Sequence, residues 1–163
     1  MEGNKLTLTR VLQAVARWSN PVTRWVLAGR FHAVMSGRLL LVAFTGRRSG
    51  RSYVTPVSYV LEGRRLLVPG GGSWWKNLGS APVKVRLRGT WMSVTPQVLD
   101  EPHVLSEALG SMLAANPALS IFTGIQQGPN GQPTSESVER ERRRGFVVVQ
   151  LHLEDQLRQA ASA

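Results

Sequence analysis

Apolar and polar residues between positions 39 and 99 follow patterns that predict short β-strands. The apolar run 39–44 is too short to cross a membrane and suits a buried strand. Over 83–87 apolar residues alternate with basic ones, which is typical of a half-buried antiparallel strand. Because short turns join the predicted strands and a short helix is inserted at 73–78, the region predicts a small barrel. The predicted strands are residues 39–44, 53–61, 65–69, 83–88 and 91–99.

The part of the chain before the predicted barrel has the pattern of helices. Residues 5–38 carry an apolar stripe at helical spacing, and Asn20-Pro21 divides the stripe in two. Arginine recurs every seventh residue on another face. These helices either pack on the barrel or form a basic amphipathic surface that touches anionic lipid, with tryptophans at the interface. The predicted division is an N-terminal helical segment, 1–38, and a barrel domain, 39–163.

Two further helices are predicted after the barrel strands. Residues 100–115 form an amphipathic helix with Asp100 as its N-cap. Residues 117–125 predict a second, short helix with Ile121 and Phe122 facing inward. The positions expected to be buried in the longer helix are Val104, Leu105, Ala108, Leu109, Met112 and Leu113.

The C-terminal part contains a loop and a last strand. Residues 126–137 are rich in Gly and Pro and lack an apolar anchor, which predicts a mobile loop. This loop is either a lid over a bound ligand or a bare connection with no role. Residues 139–144 are a charged lead-in to the strand 146–153, whose apolar run predicts a central position. Residues 154–161 are predicted as a solvated helix or tail.

Basic residues are concentrated in the predicted barrel. The chain carries a formal net charge of +10, and residues 39–99 contain nine Lys or Arg but only one acidic residue. Several of them lie in glycine-rich turns, above all in TGRRSGR at 45–51. Backbone N–H groups freed by glycine, with arginine beside them, form anion sites. The turn is either a solvated basic surface or a site for a phosphate-bearing ligand.

The chain lacks the residues that most reaction chemistries need. The chain has no cysteine, which excludes disulfides, thiolate metal sites and a cysteine nucleophile. The histidines, His32, His103 and His152, lie in unrelated elements without metal-ligand spacing, so no metal site is predicted. Glu62 is the single carboxylate in the barrel strands, which argues against a paired-carboxylate hydrolase. If the protein is an enzyme, a cofactor must supply its reactivity.

The order of motifs over 39–99 resembles the deazaflavin-dependent nitroreductase family. The matching stretches are Thr45-Gly46-Arg47-Arg48-Ser49-Gly50, Thr55-Pro56-Val57, and Trp74-Trp75-Lys76-Asn77-Leu78 followed by Ala81-Pro82-Val83. The resemblance implies an α+β, mainly β, fold: a split β-barrel of the FMN-binding kind, with N-terminal helices and a short inserted helix. It also implies coenzyme F420 as the cofactor, with FMN as the alternative, and hydride transfer to quinones, nitroaromatics or similar acceptors.

The resemblance further implies roles for single residues. The basic turn would hold the phosphate or acidic tail of the cofactor, and the Thr-Pro-Val stretch would line its ring. The glycines would allow close approach of a strand end. The tryptophans begin the inserted helix, although one of the two also suits ordinary core packing. The implied cofactor-binding residues are Arg47, Arg48, Ser49, Gly50, Thr55, Pro56, Val57, Gly70, Gly71, Trp74, Trp75 and Asn77.

Three functions compete at this point. The first is a cytoplasmic, F420-dependent oxidoreductase that reduces a small-molecule electron acceptor, with no catalytic acid identified. The second is a non-enzymatic carrier of F420 or FMN with the same fold. The third, a nucleic-acid binder, is disfavoured because the aromatic residues are not interleaved along one strand as stacking platforms require. The resemblance also implies a homodimer, and lipid contact through the N-terminal helix would make the enzyme peripheral to the membrane.

Overall fold

A single antiparallel sheet organises the computed structural model, which describes residues 39–153. Its strands are β1 (Leu39–Thr45), β2 (Ser52–Ser58), β3 (Val60–Glu62), β4 (Arg65–Gly70), β5 (Val83–Leu87), β6 (Thr90–Leu99) and β7 (Val147–His152). They lie in the order β2-β1-β5-β6-β7-β4-β3. The last strand is central, as its apolar run predicts. The predictions for residues 1–38 and 154–161, including the lipid contact, fall outside the described residues.

The sheet curls so that its two ends meet. β2 and β3 are the outermost strands, yet the single residue Tyr59 joins them along the chain. The prediction of one strand over 53–61 is therefore wrong, because the chain pairs with β1 as far as Ser58 and with β4 from Val60 onward. β2 also contacts β4 across the closure. This curled sheet is the predicted split barrel.

Strand β6 connects the two halves of the barrel. Its first half pairs with β5, from Thr90 opposite Leu87 to Val94 opposite Val83. Its second half pairs with β7, where Leu99 lies opposite Val148. A ten-residue strand that changes partner in this way must bend with the sheet, which brings β5 and β7 onto one curved surface.

Two apolar clusters lie on opposite faces of the sheet. Because side chains alternate along a strand, β4 and β7 contribute to both clusters. Leu66, Val68 and Val149 point into the barrel, whereas Leu67 and Val148 pack against the helices outside it. Trp74 and Trp75 pack against the cluster inside the barrel. The barrel interior therefore supports the short segment that follows β4.

Three α-helices and one 3₁₀ helix complete the described chain. They are the 3₁₀ helix Trp74–Asn77, α1 (Pro102–Ala115), α2 (Leu119–Thr123) and α3 (Ser135–Arg143). The 3₁₀ helix is the predicted inserted helix. The charged residues 139–144 are not a simple lead-in, because most of them belong to α3. Within residues 39–153, none of the helices is long and apolar enough to span a bilayer.

The helices differ from the predictions in detail. Glu101, not Asp100, is the N-cap of α1, and the helix starts at Pro102, whose fixed φ suits the first helical position. The predicted buried stripe holds except at Val104, which is 40% exposed. The inward placement of Ile121 and Phe122 is wrong, since these side chains are 77% and 39% exposed. Helix α2 instead buries its two ends, Leu119 and Thr123.

Residues 126–137 are held by hydrogen bonds, in contrast to the predicted mobile loop. Gln127 and Pro133 form an isolated β-bridge, and the Gly128 N–H donates to the Gln132 carbonyl at 2.8 Å. The last residues of the segment belong to α3, where the buried Ser137 hydroxyl accepts a bond from the backbone N–H of residue 126. A Cβ at Gly110 of α1 would meet the Gln132 side chain at 2.6 Å. The loop therefore packs on α1, outside the sheet, and not over the barrel interior.

Candidate functional site

The basic turn, residues 45–51, is a compact loop between β1 and β2. The Gly46 N–H donates to the Arg51 carbonyl and the Gly50 N–H donates to the Gly46 carbonyl, both at 2.8 Å. Gly50 has φ +64°, in the left-handed region that favours glycine. A Cβ at Gly46 would lie 2.6 Å from both the Ser49 hydroxyl and the ring of Tyr53. Gly50 is therefore favoured by its backbone conformation, and Gly46 by the lack of room for a side chain.

The basic turn is docked on the 3₁₀ helix that follows β4. The Arg47 N–H donates to Asn77 Oδ1 at 3.1 Å, and Arg47 Nη1 donates to the Lys76 carbonyl at 3.2 Å. The other side of the Asn77 amide, Nδ2, donates to the Trp74 carbonyl at 3.0 Å. Residues 30 positions apart in sequence are thus held together through one arginine and one asparagine.

Aromatic side chains support the other side of the basic turn. The Ser49 and Tyr53 hydroxyls are 3.0 Å apart, and Ser49 Oγ also accepts the Arg51 N–H at 3.3 Å. The Tyr53 ring stacks on Phe44 with a centroid distance of 5.7 Å, and Phe44 lies 6.4 Å from Trp74. Phe44, Tyr53 and Trp74, the aromatic trio, connect the turn to the 3₁₀ helix. All three rings are half-buried and keep part of their surface open.

The glycines at the end of β4 differ in their surroundings. At Gly70 an added Cβ would come within 2.4 Å of Val147 Cγ2 and 3.4 Å of Trp75 Cδ1. At Gly71 nothing lies within 4 Å of the same position. Beside Gly70, the Trp75 Nε1 is buried without a hydrogen-bond partner in the described part of the chain. The end of β4 is therefore tightly packed at Gly70 and open at Gly71, and the unsatisfied Trp75 N–H lies close by.

The Thr-Pro-Val stretch lies in β2, an edge strand. Thr55 pairs with Val42 and Val57 with Leu40, whose side chains are buried inside the barrel. Val57 is itself buried in that core, and Thr55 is half-buried on the same face. Pro56 points to the outer face and is exposed. An edge strand tolerates proline because one row of its N–H groups has no partner strand.

The site carries an uncompensated positive charge. Arg47, Arg48 and Lys76 are exposed, and Lys76 Nζ lies 5.7 Å from the centre of the Trp75 ring. The single carboxylate of the barrel strands, Glu62, ends β3 opposite Arg65, the first residue of β4, whereas the site is at the other end of β4. The pKa of Glu62 is lowered by a hydrogen bond with Ser111 and by its pairing with Arg65, so it stays ionised and engaged there. The site is suited to an anion.

The structure brings most of the implied cofactor-binding residues to one end of the barrel. The basic turn meets Asn77 and Lys76, and Trp75 meets Gly70, so the 3₁₀ helix connects both parts. Val57 and Pro56 are placed elsewhere, in the core and on the outer face. Phe44, Tyr53 and Gly46 support the turn and are not among the implied cofactor-binding residues, although Gly46 belongs to the matching motif at 45–50. The alternation of side chains along β1 and β2 could have identified Phe44 and Tyr53, because these two residues are paired and both point to the inner face of the sheet.

The histidines of the described chain are engaged in local contacts. His103 Nε2 lies 3.1 Å from Glu107 on the exposed face of α1. His152 Nε2 is 2.7 Å from Gln150 Nε2 and 3.2 Å from Gln97 Oε1. Over residues 39–153 no group of three or more His, Asp or Glu side chains is arranged to hold a metal ion.

Comparison with known proteins gives one family match and several structural likenesses. The sequence profile of the family described as F420H(2)-dependent quinone reductase matches residues 21–128. No curated protein matches the chain. The solved structure of an F420-H2 dependent reductase (FDR-A) is similar at 16% identity and a TM-score of 0.49, covering 71% of this chain and 95% of that one. A structure described as a domain-swapped dimer shows 16% identity and a TM-score of 0.47, covering 84% and 98%. An F420 reductase shows 10% identity and a TM-score of 0.39, covering 76% and 93%.

Proposed function

The chain belongs to the F420H(2)-dependent quinone reductase family, and from this premise we propose that it passes a hydride from reduced coenzyme F420 to a quinone. Membership makes the protein an F420-dependent oxidoreductase with F420, not FMN, as its cofactor. The hypothesis of a non-enzymatic carrier is therefore set aside. The identity of the acceptor, a quinone or alternatively a nitroaromatic compound, is part of the proposal.

The docked basic turn is the observation that supports this proposal for the end of the barrel. F420 carries a phosphate and an acidic tail, and a loop with exposed Arg48 beside the fixed Arg47 suits such an anion. Within residues 39–153, Arg48 makes no hydrogen bond or ion pair, so its guanidinium is available. We assign Arg47, Arg48, Ser49 and Gly50 to the phosphate and tail.

The deazaflavin ring fits the surface between the basic turn and the end of β4. Gly71 leaves open space above the backbone, and the unsatisfied Trp75 N–H lies beside Gly70. A planar ring stacks well on half-buried aromatic side chains, which Trp74 and its neighbours in the aromatic trio provide. We assign Thr55 to the inner wall of this surface, because it lies on the inward face of the neighbouring strand.

The protein's part in the reaction is to orient two planar molecules. The bound coenzyme would supply the hydride, and the proton that completes reduction of the quinone would come from solvent, so the transfer itself requires no acid or base from the chain. Binding both partners in contact converts an encounter into a positioned reaction, and this is the main rate contribution open to such a site. The barrel residues would bind and orient the coenzyme, and the acceptor would lie on the face of the coenzyme ring that points away from the aromatic trio.

A turnover assay with several donors and acceptors tests the proposal. Oxidation of F420H2 by the full-length protein is followed by visible absorbance with a naphthoquinone, a benzoquinone and a nitroaromatic compound. We expect turnover with a quinone from F420H2, and little or none from reduced FMN or NADPH. Turnover confined to nitroaromatics would replace the quinone by the alternative acceptor, and no turnover with any acceptor would refute the proposed reaction.

The assembly and location of the enzyme stay predictions. A homodimer is expected in solution, and light scattering measures it directly. Contact of residues 1–38 with anionic lipid would show as co-sedimentation with anionic vesicles at low salt.

A further inference from the structure

Asn77 was expected to touch the cofactor, but its side chain is already engaged within the protein. Oδ1 accepts the Arg47 N–H at 3.1 Å and Nδ2 donates to the Trp74 carbonyl at 3.0 Å. Asn77 is also half-buried, unlike the exposed Arg47 that it contacts. One polar atom of the amide therefore joins the basic turn to the 3₁₀ helix, and the other anchors the amide within that helix.

The basic turn depends on this cross-link for its position. Its other hydrogen bonds are internal to the β1–β2 hairpin: Gly46 with Arg51, Gly50 with Gly46, and Ser49 with Tyr53. These bonds shape the loop but do not fix it against the end of β4. Among the hydrogen bonds of residues 39–153, those of Arg47 to Asn77 and to the Lys76 carbonyl fix the turn there, beside the aromatic contact of Phe44 with Trp74.

Fixing the turn before binding has a thermodynamic consequence. Ordering a loop and its long side chains on binding costs free energy, and this cost is subtracted from the affinity. Two adjacent arginines also repel each other, so they do not settle side by side without support. A turn that is already docked avoids this cost when an anion arrives.

We propose that Asn77 is a positioning residue, which presets the basic turn for the phosphate and acidic tail of F420 and acts on that tail through Arg47, without touching the coenzyme. This inference rests on the proposed function for the identity of the anion. It separates Asn77 from Arg48, which we assign to direct contact. The proposal also distinguishes the two ends of the coenzyme, because loss of the Asn77 side chain releases the turn that holds the tail, whereas Trp74 beside the ring stays packed on the barrel core.

Asn77→Ala is tested by titration with two ligands. One is F420, and the other is the ribityl deazaflavin that lacks the phosphate and the tail. We expect the affinity for F420 to fall about tenfold, as for the loss of one or two hydrogen bonds, and the affinity for the ribityl deazaflavin to fall far less. The KM for F420H2 rises with kcat nearly constant. Equal losses for both ligands, or an unchanged F420 affinity, would overturn the positioning role.

A second readout does not need the cofactor. In the wild-type protein the Arg47 amide should be protected from hydrogen exchange, and Asn77→Ala should remove that protection. If Asn77→Ala does not fold, Asn77→Asp keeps an acceptor oxygen, and the proposal requires protection to persist in it. Unchanged Arg47 exchange in a folded Asn77→Ala protein contradicts the cross-link.

A control variant and the wild-type protein separate failure of the Asn77 proposal from failure of the proposed function. Asn130→Ala removes a similar bond, from the Gln132 N–H to Asn130 Oδ1 at 3.1 Å, in the loop outside the sheet, and should change neither ligand affinity nor Arg47 exchange. A wild-type protein that binds no F420 refutes the proposed function, whereas the exchange experiment still decides whether Asn77 holds the turn.

Discussion

Replacing Gly70 by alanine should destabilise the protein, because the new methyl group has no room. It would lie 2.4 Å from Val147 Cγ2 and 2.9 Å from the Val147 carbonyl oxygen, well inside the roughly 3.5–4 Å of a relaxed contact. The valine side chain can turn away, but its carbonyl belongs to the ladder that pairs Gly70 with Val147. Overpacking of this kind costs about 1–3 kcal/mol.

The neighbouring glycine provides the control. At Gly71 a Cβ meets nothing within 4 Å, so Gly71→Ala should be neutral or stabilise by about 0.4–1 kcal/mol through the unfolded chain. Urea unfolding measures both, and with a slope of about 1–3 kcal/mol per M the Gly70→Ala midpoint should fall by about 1 M. Adding Val147→Ala should recover only part of the loss, since the carbonyl contact remains. Equal midpoints for the two single variants would refute the steric argument.

Three other predictions concern elements away from the site. Arg88 has φ +48° in the β5–β6 turn, so Arg88→Gly should raise the unfolding free energy by about 0.5–1 kcal/mol in urea titrations, and a loss of stability would contradict this. Hydrogen bonds with Arg142 and the following arginine lower the pKa of Glu139 to about 2, so its contribution is present above the ordinary value of 4.5 and is lost as the pH falls toward 2. As the pH is lowered from about 5 to about 2, the melting temperature should therefore fall less for Glu139→Gln than for the wild type. An equal fall in the two proteins would exclude this role of Glu139. Ile121→Ser should leave the midpoint unchanged, whereas Leu119→Ala should cost about 2–4 kcal/mol, and the reverse order would contradict the orientation of α2.

Much of the sheet could be predicted because its strands obey simple local rules. The alternation from Val83 to Leu87 and the apolar run of β7 each gave a strand at the right place. The break at Tyr59 could not be found in this way, because residues on both sides continue the same pattern. What divides β2 from β3 is the pairing with different partners, β1 and β4, which depends on how the barrel closes.

The helices show where local pattern fails. Ile121 and Phe122 are apolar and were expected to face inward, but α2 has only five residues and buries the positions at its ends. In so short a helix the side chains that are buried depend on the path of the chain around it. Residues 126–137 have a composition typical of a mobile loop, yet the Ser137 hydroxyl and a β-bridge organise them. Composition does not register such hydrogen bonds.

The sequence indicated which residues form the site but not the hydrogen bonds that join them. The charge, the glycines and the resemblance selected Arg47 and the Trp-Trp-Lys-Asn segment. The bond from the Arg47 backbone to Asn77 joins residues 30 positions apart, and no periodicity carries that information. The structure therefore shows the bond on which the proposed positioning role of Asn77 rests, and it adds Tyr53 as support for Ser49.

The most direct test is the dissociation constant of F420 for Arg48→Ala compared with Arg64→Ala. Both arginines are exposed in turns, but Arg64 precedes β4 and lies about 20 Å from Gly70 at roughly 3.3 Å per residue. Fluorescence titration should show a loss of about 1–3 kcal/mol, roughly 5- to 150-fold, for Arg48→Ala, and no change for Arg64→Ala, with both thermal transitions intact. Equal affinity of the two variants and the wild type would contradict the assignment of the basic turn as the anion site.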